Sequence, residues 1–183
     1  HLMVGISYYK TYCPGEIQVK SGVLSREEAD FWNKLYAQGL GEFFYKNKMD
    51  FRDLVKFPYE EGFEGGSVGV ELPDRSLLPL GGGKDSIVAA EMLKERGKEF
   101  EVFNLGGYEV AEKVCEKMGK DMIVVKRSLS EELFRLNSEG ALNGHVPISA
   151  YLAFLSVLMG VLYGFKYIVL ANERSANEGN VEF

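Results

Sequence analysis

Apolar and polar positions follow two different regimes along the chain, and the change comes near residue 75. Before it, the runs VGISYY and EIQVK are broken by Pro14-Gly15 and Ser21-Gly22, the pattern of a small hairpin or meander over residues 3 to 24. Ser25 and Glu28 then form a capping box. The helix it opens carries Phe31, Trp32, Leu35, Tyr36, Leu40, Phe43 and Phe44 along one broad face, which predicts a core face rather than a ligand platform. The glycine-rich, acidic stretch EEGFEGGSVGVELPD, from Glu60 to Asp74, reads as the joint between an accessory region over residues 1–74 and a second domain over residues 75–183.

From Arg75 onward strand and helix patterns alternate. Strands are predicted at Ser76 to Leu80, Glu99 to Asn104, Met122 to Lys126 and Tyr167 to Ala171. Helices are predicted between and around them at Lys84 to Arg96, Tyr108 to Met118, Ser130 to Asn137 and Ile148 to Tyr163. Such alternation implies right-handed crossovers, hence an α/β fold of Rossmann type, a parallel sheet with helices on both faces behind a small α+β amino-terminal region. Ligands of such sheets gather at the carboxyl ends of the strands, where strand order reverses.

Composition narrows the function classes. A chain of 183 residues with 46% apolar content buries one substantial core and has room for an accessory domain. The net charge of −6 is spread without a long run of either sign, which speaks against a nucleic-acid partner. Cys13 and Cys115 lie far apart with no neighbouring histidine, so neither zinc nor a disulfide framework is expected, and a reducing cytoplasm is. No signal peptide is read, and His1 and Leu2 ahead of Met3 are taken as foreign to the natural start. The uncharged stretch from Val146 to Phe165 is long enough for a membrane span, but Ser149, Ser156, two glycines and the strand-like YIVLANE that follows favour a helix covered by the sheet and its neighbours.

Candidate chemistry concentrates in GGGKDS, from Gly81 to Ser86, between the first strand and the first helix of the second domain. Glycines there let backbone N–H groups converge on an anion, and the helix amino terminus adds about half a positive charge. A phosphate group fits, with Lys84 as counter-charge and Ser86 as a hydroxyl donor. A Walker A loop fails at Leu78 and at Asp85. A dinucleotide fingerprint would place Ser86 at its third glycine and Asn104 where a ribose-binding acid belongs, which leaves an NAD-dependent oxidoreductase as a weak alternative. A simple glycine turn is the structural alternative.

The loop also resembles SGGxDS, the pyrophosphate-binding loop of the PP-loop ATP pyrophosphatases, with Gly81 in place of the first serine. GGGKDS at 81–86, NGHVPISA at 143–150 and ANERSAN at 171–177 together look like the family of the ATP-dependent epimerase that inverts the terminal glutamate of UDP-N-acetylmuramoyl-L-alanyl-L-glutamate. The likeness extends weakly to GLGEFFYKNKMDFR, from Gly39 to Arg52, and Arg174 stands where that family has tryptophan.

The resemblance implies a PP-loop, HUP-like fold and an enzyme that uses ATP and Mg2+ to adenylate a carboxylate of an amino-acid or peptide-like substrate, releasing AMP and pyrophosphate. It implies nucleotide contacts from Gly81, Gly82, Gly83, Lys84, Asp85, Ser86 and Asn104, and magnesium at Asp85 and Glu173. It implies substrate contacts from Asn143, His145, Asn172, Arg174 and Ser175, with Lys84, His145 and Glu173 closest to the chemistry. Its strand order makes the first and fourth strands neighbours, so that Asn172, Glu173 and Arg174 would look across a crevice at Gly82 and Lys84. His145, just ahead of Pro147, is read either as a cap of the apolar helix or as a group that binds substrate or moves a proton. The superfamily fold needs at least one more strand and helix than the chain provides, so a fragment is expected, one that pairs with another copy along an open sheet edge or acts as a non-catalytic nucleotide- or anion-binding module.

Overall fold

The computed structural model describes residues 1–172. The chain divides into two compact units, one made of residues 1–69 and 129–151, the other of residues 70–128 with the chain from 152 onward.

The first unit holds α1 (Leu2–Tyr9), α2 (Arg26–Gly39), α3 (Gly41–Lys46) and α6 (Glu131–Ser138). The predicted hairpin is not there: α1 occupies its first run, EIQVK forms no strand, and no strand forms among the described residues of this unit, so the region is helical rather than α+β. The reason lies in the spacing of what is buried. Met3, Ile6, Ser7 and Lys10 fall at i, i+3, i+4 and i+7, one face of a helix, and all four are buried.

α2 begins as its sequence requires. Ser25 Oγ accepts from the Glu28 N–H and the Glu28 carboxylate accepts from the Ser25 N–H. The single helix expected through Phe44 is split, because α2 ends at Gly39 and α3 starts at Gly41. Phe31 is 50% exposed and lies off the buried face. Tyr36, Leu40, Phe43 and Phe44 are buried with Met3, Ile6, Tyr9 and Phe57. Residues 129–151 close this core: Leu142, Val146, Ala150 and Tyr151 pack against it, and the Leu142 N–H donates to the Thr11 carbonyl at 3.1 Å. Gly39 allows the closure, since a Cβ there would stand 2.8 Å from Pro147 Cγ.

The second unit is a four-stranded parallel sheet of β1 (Ser76–Pro79), β2 (Phe100–Leu105), β3 (Met122–Val125) and β4 (Tyr167–Ile168), in the order β3-β2-β1-β4. The first and fourth strands are neighbours, as expected, with Leu77 opposite Ile168. Alternation along the strands separates two apolar layers. Leu78, Leu80, Phe100 and Val102 meet Ala90 of α4 (Lys84–Glu95) and Ala111 and Cys115 of α5 (Glu109–Met118). Leu77 and Phe103 meet Met159 of α7 (Ile148–Tyr163) and Phe165. Helices therefore cover both faces.

Arg75 fixes the turn from α7 into β4. It donates to the Tyr163 carbonyl at 2.8 Å, pairs with Glu101 at 3.0 Å and lies over the Phe165 ring. Among the described residues α7 is covered on one side only, which differs from the expectation that the sheet and its neighbours enclose it: Val157, Leu158, Val161 and Leu162 are exposed. Among the described residues no helix is long and apolar enough to cross a membrane.

Candidate functional site

The glycine loop lies where the sequence places it, between β1 and α4, at the carboxyl end of the sheet beside the chain that leaves β4. Leu80 ends the strand region by donating its N–H to the Phe103 carbonyl at 2.8 Å. Gly82 then takes φ +85°, and a Cβ on it would stand 2.8 Å from Val110 Cγ1 at the start of α5. Only glycine meets both conditions without strain. Gly81 and Gly83 have open space where a Cβ would point.

Lys84 is the first residue of α4 and is exposed. Gly83, the N-cap residue, has no side chain with which to cap this helix, so its first turn opens onto the loop through backbone N–H groups. Ser86 Oγ donates to the Gly83 carbonyl at 2.9 Å, which ties the hydroxyl into the loop itself. Asp85 is half-buried in the first turn. Among the described residues no three His, Cys, Asp or Glu side chains gather as a metal site.

Asn104 is buried at the end of β2, and its carboxamide is bonded within the chain. Its Nδ2 donates to the Leu80 carbonyl at 2.7 Å, and its Oδ1 accepts from the N–H groups of Gly107 at 2.8 Å and Tyr108 at 3.3 Å. One carboxamide thus joins the residue before the glycine loop to the turn that starts α5. It positions the loop from behind.

NGHVPISA begins in the first unit, on the α2–α3 segment that includes GLGEFF. Asn143 Oδ1 accepts from Lys10 Nζ at 2.7 Å and from the Gly144 N–H at 2.8 Å, and Lys10 also donates to the Gly144 carbonyl at 2.7 Å. Lys10 is 7% exposed, and burial lowers its pKa. His145 is about half exposed, with Nδ1 4.0 Å from Glu42 Oε2. Lys46, 2.5 Å from Glu42 Oε1, and then His145 hold the Glu42 carboxyl below its ordinary value.

The candidate residues thus fall into two groups: Gly81 to Ser86 with Asn104 in the second unit, and Asn143 with His145 in the first. Asn172 is the last described residue and is exposed, while Glu173, Arg174 and Ser175 lie outside the described residues. Lys10 was not legible as a site residue. The available signal was a charged residue at the i+7 position of an apolar helical face, hidden while that run is read as a strand.

Cys13 and Cys115 are both buried free thiols whose pKa burial raises, so they are packed rather than reactive.

The family model of the MurL N-terminal domain matches residues 1–183. A relative from Xanthomonas oryzae pv. oryzae, named UDP-N-acetyl-alpha-D-muramoyl-L-alanyl-L-glutamate epimerase, is 35% identical over 180 residues, 98% of this chain and 40% of the relative. A relative of the same name from Salinispora tropica is 34% identical over 182 residues, 99% of this chain and again 40% of the relative. The chain therefore spans two fifths of the length of these relatives. With a family match over its whole length and relatives above 30% identity, the chain belongs to the MurL N-terminal domain family.

Proposed function

We propose that this chain is the nucleotide-binding part of an epimerase that inverts the terminal glutamate of UDP-N-acetylmuramoyl-L-alanyl-L-glutamate at the expense of ATP, with the PP-loop type of phosphate site. The observation that carries this reading is the loop from Gly81 to Gly83, held from behind by Asn104 and opening onto the uncapped amino end of α4. Its donors and its open glycine positions suit a pyrophosphate. Lys84 supplies the counter-charge. Magnesium would arrive on the nucleotide's own phosphates with Asp85 beside it; Glu173, the second residue assigned to it, lies outside the described residues. ATP, when bound, would supply an AMP group to the carboxylate next to the glutamate Cα, with pyrophosphate as leaving group. This would remove the carboxylate's charge and acidify the adjacent Cα–H until water hydrolyses the acyl adenylate to AMP and the free carboxylate. His145 is the base this reading assigns to that proton, and return of a proton from the opposite face inverts the centre.

The test is the melting temperature of the chain with magnesium and, separately, ATP, pyrophosphate and NAD, since a ligand of the folded state raises it by mass action. Shifts with ATP and pyrophosphate that disappear in Lys84→Ala are expected. A shift with NAD alone would replace this reading with a dinucleotide one. Chiral analysis of the terminal glutamate after incubation with ATP then reports inversion directly.

A further inference from the structure

The described part of the first unit contains a buried cation with no counter-charge. Lys10 closes α1 on its buried face, and its ammonium is held by two neutral acceptors, Asn143 Oδ1 and the Gly144 carbonyl, both at 2.7 Å. No carboxylate among the described residues comes within ion-pair distance of it, and desolvation alone shifts its pKa. A buried charge without an opposite partner is costly, and such arrangements are kept where an outside group completes them.

The hydrogen bonds also fix which way Asn143 points. An ammonium and an N–H can only donate, so the atom that receives both Lys10 Nζ and the Gly144 N–H must be the amide oxygen. The Nδ2 end is then turned away from Lys10, on an exposed residue and with no protein acceptor among the described residues. Exposed His145 stands two residues on, and the amino end of α7 begins three residues beyond that, adding partial positive charge of the same sign. Glu42, the carboxylate beside His145 among the described residues, is already paired with Lys46.

We propose that the Asn143 amide, backed by the buried ammonium of Lys10 and flanked by His145, is a seat for an anionic oxygen of the substrate, a carboxylate or a phosphate. Lys10 acts through Asn143: it orients the carboxamide and polarises its N–H bonds. It is a positioning residue. The seat exists without ATP, and only the identity of its anion rests on the epimerase reading. That reading offers two sources, the terminal glutamate's carboxylates and the diphosphate of the UDP group.

Calorimetric titration of the chain with L-alanyl-L-glutamate and, separately, with UDP, both without ATP or magnesium, tests the seat and tells the sources apart. Binding of at least one probe is expected, weakened at least tenfold in Asn143→Asp. That variant is the decisive one. It gives Lys10 the ion-pair partner it lacks, so the melting temperature holds or rises, while it replaces the outward donor with a carboxylate oxygen. Lys10→Met is expected to lose binding as well, and Lys10→Arg to restore part of it. Failure of both probes to bind the wild-type chain overturns the proposal, as does binding undiminished in a folded Asn143→Asp. Because neither ATP nor magnesium is present, loss of ATP-dependent inversion with binding intact would count against the epimerase reading alone.

Discussion

Two tyrosines in contact illustrate how far a single hydroxyl decides stability. The rings of Tyr9 and Tyr36 meet edge to face, 5.4 Å between centroids. Tyr36 donates to the Leu2 carbonyl at 2.6 Å, whereas the Tyr9 hydroxyl is buried with no partner. An unpaired buried hydroxyl costs free energy and a paired one does not, so Tyr9→Phe should raise stability by about 1 kcal/mol and Tyr36→Phe should lower it by about 1 kcal/mol in urea denaturation. Equal losses in both would show that packing around the rings, not the hydroxyls, governs the pair. Burial, and then Cys13, pushes Tyr9 up to about 12 from 10.0. Between these values the unfolded chain has released a proton that the folded one keeps, so stability falls as pH rises through that window and is untouched below it. Tyr9→Phe should shed part of this alkaline loss. The same scale holds the clearest contrast in the glycine loop. Gly81→Ser should fold with unchanged stability, because its Cβ meets open space, and on the PP-loop reading it tightens ATP binding.

At the scale of elements, the loop depends on strands that do not contain it. Asn104→Ala strands a buried Leu80 carbonyl and two N–H groups at the start of α5, and should cost about 2 to 3 kcal/mol and, on the proposed nucleotide reading, weaken ATP binding as well. Gly82→Ala should also destabilise, since it puts an alanine at φ +85° against Val110. A nucleotide affinity unmoved by Asn104→Ala would separate the loop from its supporting carboxamide. These elements were largely legible beforehand, because their signals are local. The alternation from Ser76 onward marks four strands and their helices to within a few residues, and the Ser25 capping box is realised as written. The failures have one cause. VGISYY alternates like a strand, yet its neighbours in space bury Met3, Ile6, Ser7 and Lys10, and that demand selects the helical period. The position of Asn104 is legible, but the carbonyl it serves, Leu80, lies 24 residues earlier just past β1, a contact no local pattern carries.

At the scale of the molecule, α7 leaves an apolar stripe uncovered. Val157, Leu158, Val161 and Leu162 are each at least half exposed, and such a patch binds whatever apolar surface is offered. The chain should therefore enhance the fluorescence of an apolar dye while fully folded, and Leu158→Glu combined with Leu162→Glu should reduce that signal with helix content preserved. An unchanged signal would assign the dye to another surface.

The return of residues 129–151 to the first unit has a consequence for how this protein can be divided or exchanged. Neither unit is a continuous stretch of chain, so a cut near residue 70 frees no self-sufficient piece: the amino-terminal helices lose Leu142 and Val146, and the ammonium of Lys10 loses both of its acceptors. A chimera joined at that point would pair helices from one parent with closing residues from the other, and its fate would be decided at Gly39 against Pro147 and at Lys10 against Asn143. Exchange of one whole unit against the other requires three crossovers, near residues 69, 128 and 151, because the sheet takes β1 to β3 from residues 70–128 and β4 from the chain after 151.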